Sequence, residues 1–93
     1  MPTRTFVPCR VSAGFFDSEY YVVLRAGSAY VVDRDSVKVS KVPENSAEVD
    51  GRVLAYVIEE TPQDALVELP GEPVIGGLRT WVPKKDLEYV AAA

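Results

Sequence analysis

Ala29-Tyr30-Val31-Val32-Asp33-Arg34-Asp35-Ser36-Val37-Lys38-Val39 lies over Thr80-Trp81-Val82-Pro83-Lys84-Lys85-Asp86-Leu87-Glu88-Tyr89-Val90 with an aromatic residue, a valine, an aspartate and a closing valine in register. Upstream, Arg10-Val11-Ser12-Ala13 matches Arg52-Val53-Leu54-Ala55, and Tyr21-Val22-Val23-Leu24 runs alongside Ala65-Leu66-Val67-Glu68. The offset between copies grows from 42 to 44 to 51, so the added residues fall where turns are expected, as insertions do. The pattern predicts two related β units, residues 1–44 and 45–93, packed into one compact body or forming a single domain 1–93. Strand parity strains the match: Val37 and Val39 share one face, whereas Leu87 and Tyr89 share a face that Val90 does not, and a bulge is needed to reconcile them.

The segments between turn signals are short and rich in Val, Tyr, Phe and Leu, which fit a pleated, half-buried surface better than a helix. Strands are expected over residues 6–13, 20–25, 29–32, 37–41, 52–60, 65–69, 78–82 and 87–90. Residues 26–28 are short enough for a tight hairpin, and Asp50-Gly51 and Thr61-Pro62-Gln63-Asp64 mark further turns. A longer loop is expected over residues 70–77, one 3₁₀ turn over 83–86 and fraying at the terminal alanines, and the only plausible α-helix is a single turn around 46–49.

Composition narrows the chemistry. At 93 residues the chain is large enough to bury roughly two-thirds of its unfolded surface, so no metal or disulfide is needed for stability. The one cysteine, Cys9, reads as a small apolar strand residue, which points to a reducing, cytoplasmic setting. Histidine is absent, which removes Ser-His-Asp and Cys-His nucleophile units and any imidazole proton shuttle or ligand. The longest apolar run, residues 53–58, is far short of a membrane span, and no apolar leader segment precedes it. Ten basic against 14 acidic residues, net charge -4, disfavour a surface that tracks nucleic-acid phosphates.

The second half shows strand, turn, strand, Gly-rich loop, strand, a helical turn after Val82-Pro83 and a short closing strand. This order resembles the SH3-like small β-barrels, well over residues 51–90 and more loosely over 7–39, and implies an all-β fold of SH3-like barrel units. Within that class, Gly51-Arg52-Val53-Leu54-Ala55-Tyr56, Thr61-Pro62, Val67-Glu68, Pro83 and Leu87-Glu88 are similar to the plasmid-borne type II dihydrofolate reductases, which assemble SH3-like barrels around a shared pore. Those enzymes use a Val-Gln-Ile-Tyr stretch before the matching proline. Here it reads Arg79-Thr80-Trp81-Val82, so Thr80 and Val82 stand at the glutamine and tyrosine positions. The resemblance therefore implies a barrel from a bacterial or mobile-element setting without its catalytic residues.

Tyr30 and Trp81 occupy equivalent places in the two units. SH3-like resemblance implies that such rings line a groove for proline-rich segments, while their position inside apolar strands predicts core rings, Trp81 mostly buried. Phe15, Phe16, Tyr20 and Tyr21 bracket Asp17-Ser18-Glu19, and alternation sends about half of these rings inward. Gly76-Gly77 has neither a following helix nor a GK[ST] sequence, and reads as a flexible or positive-φ turn rather than a phosphate cradle. Glu59-Glu60 and Asp33-Arg34-Asp35 lack the convergent oxygen set of a cation site. The expected function is non-enzymatic: a protein-binding or assembly module with no cofactor, metal or catalytic residue, whose candidate binding residues are Phe16, Tyr20, Tyr21, Tyr30, Trp81, Gly76 and Gly77. A protein partner is expected, with a homodimer through unpaired sheet edges as an option, nucleic acid disfavoured and no membrane. The competing classes are a small oligomeric enzyme of the type II reductase kind and a nucleic-acid-binding small barrel.

Overall fold

Alternation of β-branched and polar residues, interrupted by Gly, Pro and Asp turns, produces β1 (Thr3–Ala13), β2 (Glu19–Leu24), β3 (Ala29–Asp33), β4 (Val37–Val39), β5 (Val49–Glu60), β6 (Asp64–Glu68), β7 (Gly71–Ile75), β8 (Arg79–Pro83) and β9 (Glu88–Ala91). These elements come from a computed structural model that describes residues 3–44 and 47–91. Single 3₁₀ turns, Arg34–Ser36 and Lys84–Asp86, precede β4 and β9. The fold is all-β. Among the described residues, no helix is long and apolar enough to cross a membrane.

All nine strands belong to one curled sheet with the path β7-β3-β2-β1-β5-β6-β8, while β4 pairs with β5 and β9 with β1. Long β1 and β5 lie antiparallel at its centre, from Thr5 opposite Ala55 to Val11 opposite Val49. The opposite edge of β1 carries β9 as far as Phe6 and β2 from Cys9 onward. The two sequence halves thus share ladders: β1 pairs with β5 and β9, β3 with β7, and β4 with β5.

Pro8 sits at the fork between β9 and β2. In the residue 24–28 hairpin the Leu24 N–H donates to the Ser28 carbonyl at 2.9 Å, and the Gly27 N–H donates to the Leu24 carbonyl at 2.9 Å with Gly27 at φ 98. Because main-chain groups alternate between edges, this turn aims the even residues of β2 at β3 and the odd ones at β1. The even residues of β1 therefore address the β2 and β9 edge, and Pro8 falls where that edge changes partner, so its missing N–H removes no ladder bond.

The inward face carries Val7, Cys9 and Val11 of β1, Tyr20, Val22 and Leu24 of β2, Tyr30 and Val32 of β3, Val49, Val53 and Ala55 of β5, Ala65 and Val67 of β6, then Leu69 and Val82. The radius of gyration is 12.6 Å, as expected for a compact body of this length. Gly51 continues the inward row between Val49 and Val53, and a Cβ there would stand 2.7 Å from Val11 Cγ2 and 2.8 Å from the Lys38 carbonyl oxygen.

Residues 70–77 are not all loop, because Gly71–Ile75 form β7 against β3. A second 3₁₀ turn, Arg34–Ser36, occupies the acidic stretch before β4. Of the helical turn expected around residues 46–49, Ser46 lies outside the described residues, and Val49 opens β5. The terminal Ala92 and Ala93 also lie outside them, whereas Ala91 ends β9.

Candidate functional site

The main path of the sheet ends in β7 and β8, which follow one another in sequence, while β4 and β9 lie off that path and each pair with one strand. Each free edge carries an outward proline, but Pro73 sits in the middle of β7 and Pro83 at the last residue of β8. In β7, Val31 and Glu72 exchange main-chain bonds while Tyr30 and Pro73 form the intervening pair, so the missing Pro73 N–H lies on the outer edge, where a proline discourages strand addition. In β8 the Lys84 N–H donates to the Gln63 carbonyl at 2.9 Å, next in register after Asp64 and Pro83. Alternation then directs the main-chain groups of Thr80 and Val82 into β6 and those of Arg79 and Trp81 to the outer edge. Pro83 fits the same phase, since its missing N–H would point outward.

Trp81 is 45% exposed, which corrects the expectation of a buried ring, whereas Tyr30 at 0% is buried. The reason is parity. Tyr30 and Val32 of β3 point into the core, but in β8 it is Val82 that does so, with Thr80 half-buried beside it. Aligned at an offset of 51, the two segments keep their strand–3₁₀–strand order, but matching residues of β3 and β8 lie on opposite faces. The same inversion separates β2 from β6: Val22 and Leu24 are buried, but the aligned Leu66 and Glu68 are only half-buried. A single-residue slip in register has this effect, because side chains alternate with period two.

On the outward face of β5, β6 and β8, register aligns Tyr56, Glu68 and Arg79 in one row, and Leu66 with Trp81 in the next. Arg79 Nε donates to Glu68 Oε1 at 3.0 Å, Tyr56 is 50% exposed, and Leu66 is half-buried opposite the indole. Beside Trp81 a cleft of about 30 Å³ is lined by Pro8, Arg25, Ala26, Pro83 and Asp86, among others. Along the preceding chain, Val74, Ile75 and Leu78 are also exposed, so apolar side chains border this seam from β7 to β8.

Tyr30, Gly76, Gly77 and Trp81 come together at the hairpin end of β3. The Tyr30 hydroxyl donates to the Gly77 carbonyl at 2.8 Å, Ser28 Oγ lies 3.4 Å from Thr80 Oγ1, and a Cβ on Gly76 would stand 3.1 Å from Ser28 Oγ. Gly76 has φ 85, the left-handed turn expected of it. Phe16, Tyr20 and Tyr21 belong to the opposite end of β2 and do not join this group. Phe15 and Phe16 are exposed, Tyr21 is half-buried, and Tyr20 is a core ring with the Arg34 guanidinium 4.6 Å from its centroid.

Among the described residues two titrating groups are shifted, Cys9 and Tyr30. Burial, then the nearby Asp50 carboxylate, pushes the Cys9 thiol up to about 12, so at neutral pH it is a protonated core side chain without thiolate character. Burial raises the Tyr30 phenol, and the nearby Ser28 side chain works against that rise. No family model matches the chain, and no curated protein or solved structure matches it either.

The place of β8 at the end of the sheet path is not written in its own residues. Trp81 was singled out by its aromatic character, but the free edge depends on which strand ends the sheet, and nothing local in Arg79-Thr80-Trp81-Val82-Pro83 records that. Pro83 was the one available clue, because a proline tolerated at the end of a strand is found mostly at edges.

Proposed function

We propose that the protein is a non-enzymatic binding module that accepts an extended segment of a partner protein as an added strand on β8, with Trp81 as the anchoring ring. The observation that carries this reading is the half-exposed Trp81 on a terminal strand whose outer edge has main-chain donors and acceptors at Arg79 and Trp81. Main-chain bonds supply affinity in such strand addition, and side chains that project on alternate faces supply selectivity. Tryptophan suits the anchor role, because it covers a large area at the cost of few rotatable bonds. The strand–3₁₀–strand order of residues 79–91 also supports placing the fold near the SH3-like barrels.

A peptide library displayed on phage and selected against the immobilised protein tests this. Selected peptides are expected to bind Trp81→Ala at least about tenfold more weakly, since ring anchors carry a large share of interface energy. They should also slow hydrogen exchange at the Arg79 and Trp81 amides, but not at Thr80 or Val82, whose amides are already bonded to β6. Peptides that bind the variant equally well, or that leave those two amides unprotected, would remove β8 as the docking edge.

A further inference from the structure

A groove of about 760 Å³ crosses the outward face where β2, β1, β5 and β4 lie side by side. Register sets Pro8, Arg52 and Lys38 in one row across three strands, and Val23, Arg10 and Asp50 in the next. Arg25, just past β2, and Glu88 of β9 complete the lining that matters here. Pro8 forms part of the floor at the fork where β9 leaves β1 and β2 joins it.

The groove is cationic in an acidic protein. Arg10, Arg25, Lys38 and Arg52 face Asp50 and Glu88 within it, although the whole chain has a net charge of -4. Arg10 is engaged by Asp50 at 2.6 Å and lies 4.0 Å from Glu48, and Arg52 is engaged by Glu88, which among the described residues leaves Arg25 with one long pair and Lys38 with none. Arg25 is 73% exposed and reaches Asp86 only at 3.5 Å. Lys38 has no carboxylate partner among the described residues, and its ammonium is held 4.6 Å from the centroid of the Phe6 ring. Cations placed over an apolar floor, with one fixed by an aromatic ring, suit a ligand that brings separated negative charges and apolar side chains.

We infer that this groove binds an extended acidic peptide, a carboxylate-bearing segment of a partner protein. The inference rests on the binding-module reading but not on the β8 edge. Charge complementarity selects the occupant. Asp50 and Glu88 lie among the cations and would oppose a continuous phosphate backbone, as would the overall negative charge. Carboxylates on alternate residues of an extended peptide are spaced by about 6.6 Å and can address the cations while avoiding those two groups.

The test is fluorescence anisotropy with a labelled peptide that alternates glutamate and valine, read beside its glutamine counterpart and an oligothymidylate of equal formal charge. The acidic peptide should bind saturably at low salt and more weakly as salt rises. Lys38→Glu should weaken it by about three- to tenfold and Lys38→Gln by less. Circular dichroism melts confirm that each variant is folded. Absence of saturable binding, equal binding of the glutamine peptide, tighter binding of the oligothymidylate, or indifference to both Lys38 variants overturns the inference. A peptide selected on the β8 edge that still depends on Trp81 would survive such a failure, so the two readings stand or fall separately.

Discussion

The hydroxyl of Tyr30 donates to the carbonyl of Gly77 at 2.8 Å, which ties a fully buried ring of β3 to the exposed connection between β7 and β8. That connection turns at Gly76 with φ 85, so the two end strands of the sheet are joined by a glycine turn pinned from below by a core side chain. Tyr30→Phe keeps the ring and loses the bond, and should cost about 0.5–1.5 kcal/mol in urea melts. Tyr30→Ala leaves a cavity as well and should cost about 3–5 kcal/mol. In the Phe variant, amide exchange should speed up at residues 76–78; unchanged exchange there would show that the bond does not hold the turn.

Cys9 makes stability depend on alkaline pH. Its folded pKa of about 12 lies above the ordinary 9.0, so the contribution is fully present below pH 9. Between those values the unfolded chain sheds its proton and the folded chain keeps it, so stability falls as pH rises, by at most about 1.4 kcal/mol per pH unit. The raised Tyr30 pKa acts in the same direction from its ordinary value of 10.0 upward. Urea melts from pH 8 to 11 should show a shallower decline for Cys9→Ala than for the native chain, whatever the offset from the lost side-chain volume. Parallel declines would mean that the thiol titrates normally in the fold.

Trp81→Ala should cost about 1–2 kcal/mol, below the ~3–5 kcal/mol of a fully buried ring, since its 45% exposure leaves only part of the indole to lose contacts. A denaturant series that returns the larger figure would mean that the ring packs inward in solution. The small expected cost is also what makes Trp81→Ala usable in the binding experiments.

Proline substitutions in β8 should separate its two edges. Thr80→Pro removes a donor committed to β6 and should destabilise by about 1–3 kcal/mol, the cost of stranding a buried acceptor. Arg79→Pro removes a donor that faces outward, together with the exposed Glu68 pair, and should cost under about 1 kcal/mol. The reverse order in thermal melts would invert the edge assignment and remove the basis for strand addition.

Gly51→Ala should cost about 1–3 kcal/mol. The new methyl meets Val11 Cγ2 at 2.7 Å and the Lys38 carbonyl at 2.8 Å, and the second is backbone of β4 that cannot rotate aside. A neutral result would mean that β4 can detach from β5 at little cost.

Particular residues show how far local reading reaches. The hairpin at residues 26–28 and the 3₁₀ turn after Pro83 were recoverable because Gly27 admits the positive φ its turn needs and Pro83 fixes its own φ, and neither needs a distant partner. β7 was read as loop because Pro70, Gly71, Pro73 and Gly76 all favour turns locally. It pairs because the ladder to β3 needs no N–H from Pro73, a fact that depends on which edge β3 offers. Of the candidate residues, Gly76 has the expected turn geometry, Tyr30 and Trp81 hold equivalent places in the aligned segments but face opposite ways, and Phe16, Tyr20 and Tyr21 lie at the other end of β2.

The amino-acid sequence by itself determined the strand-rich character, most turn positions, the absence of histidine chemistry and the inert role of its single cysteine. These follow from side-chain shape, backbone restriction and composition, which act within a few residues. The tertiary structure alone decided which face each strand presents, that β7 and β8 end the sheet, and that Arg10, Arg25, Lys38 and Arg52 meet in one groove. The physical reason is register: shifting a ladder by one residue turns every side chain over, and register is set by the strand on the other side rather than by the residues that must obey it.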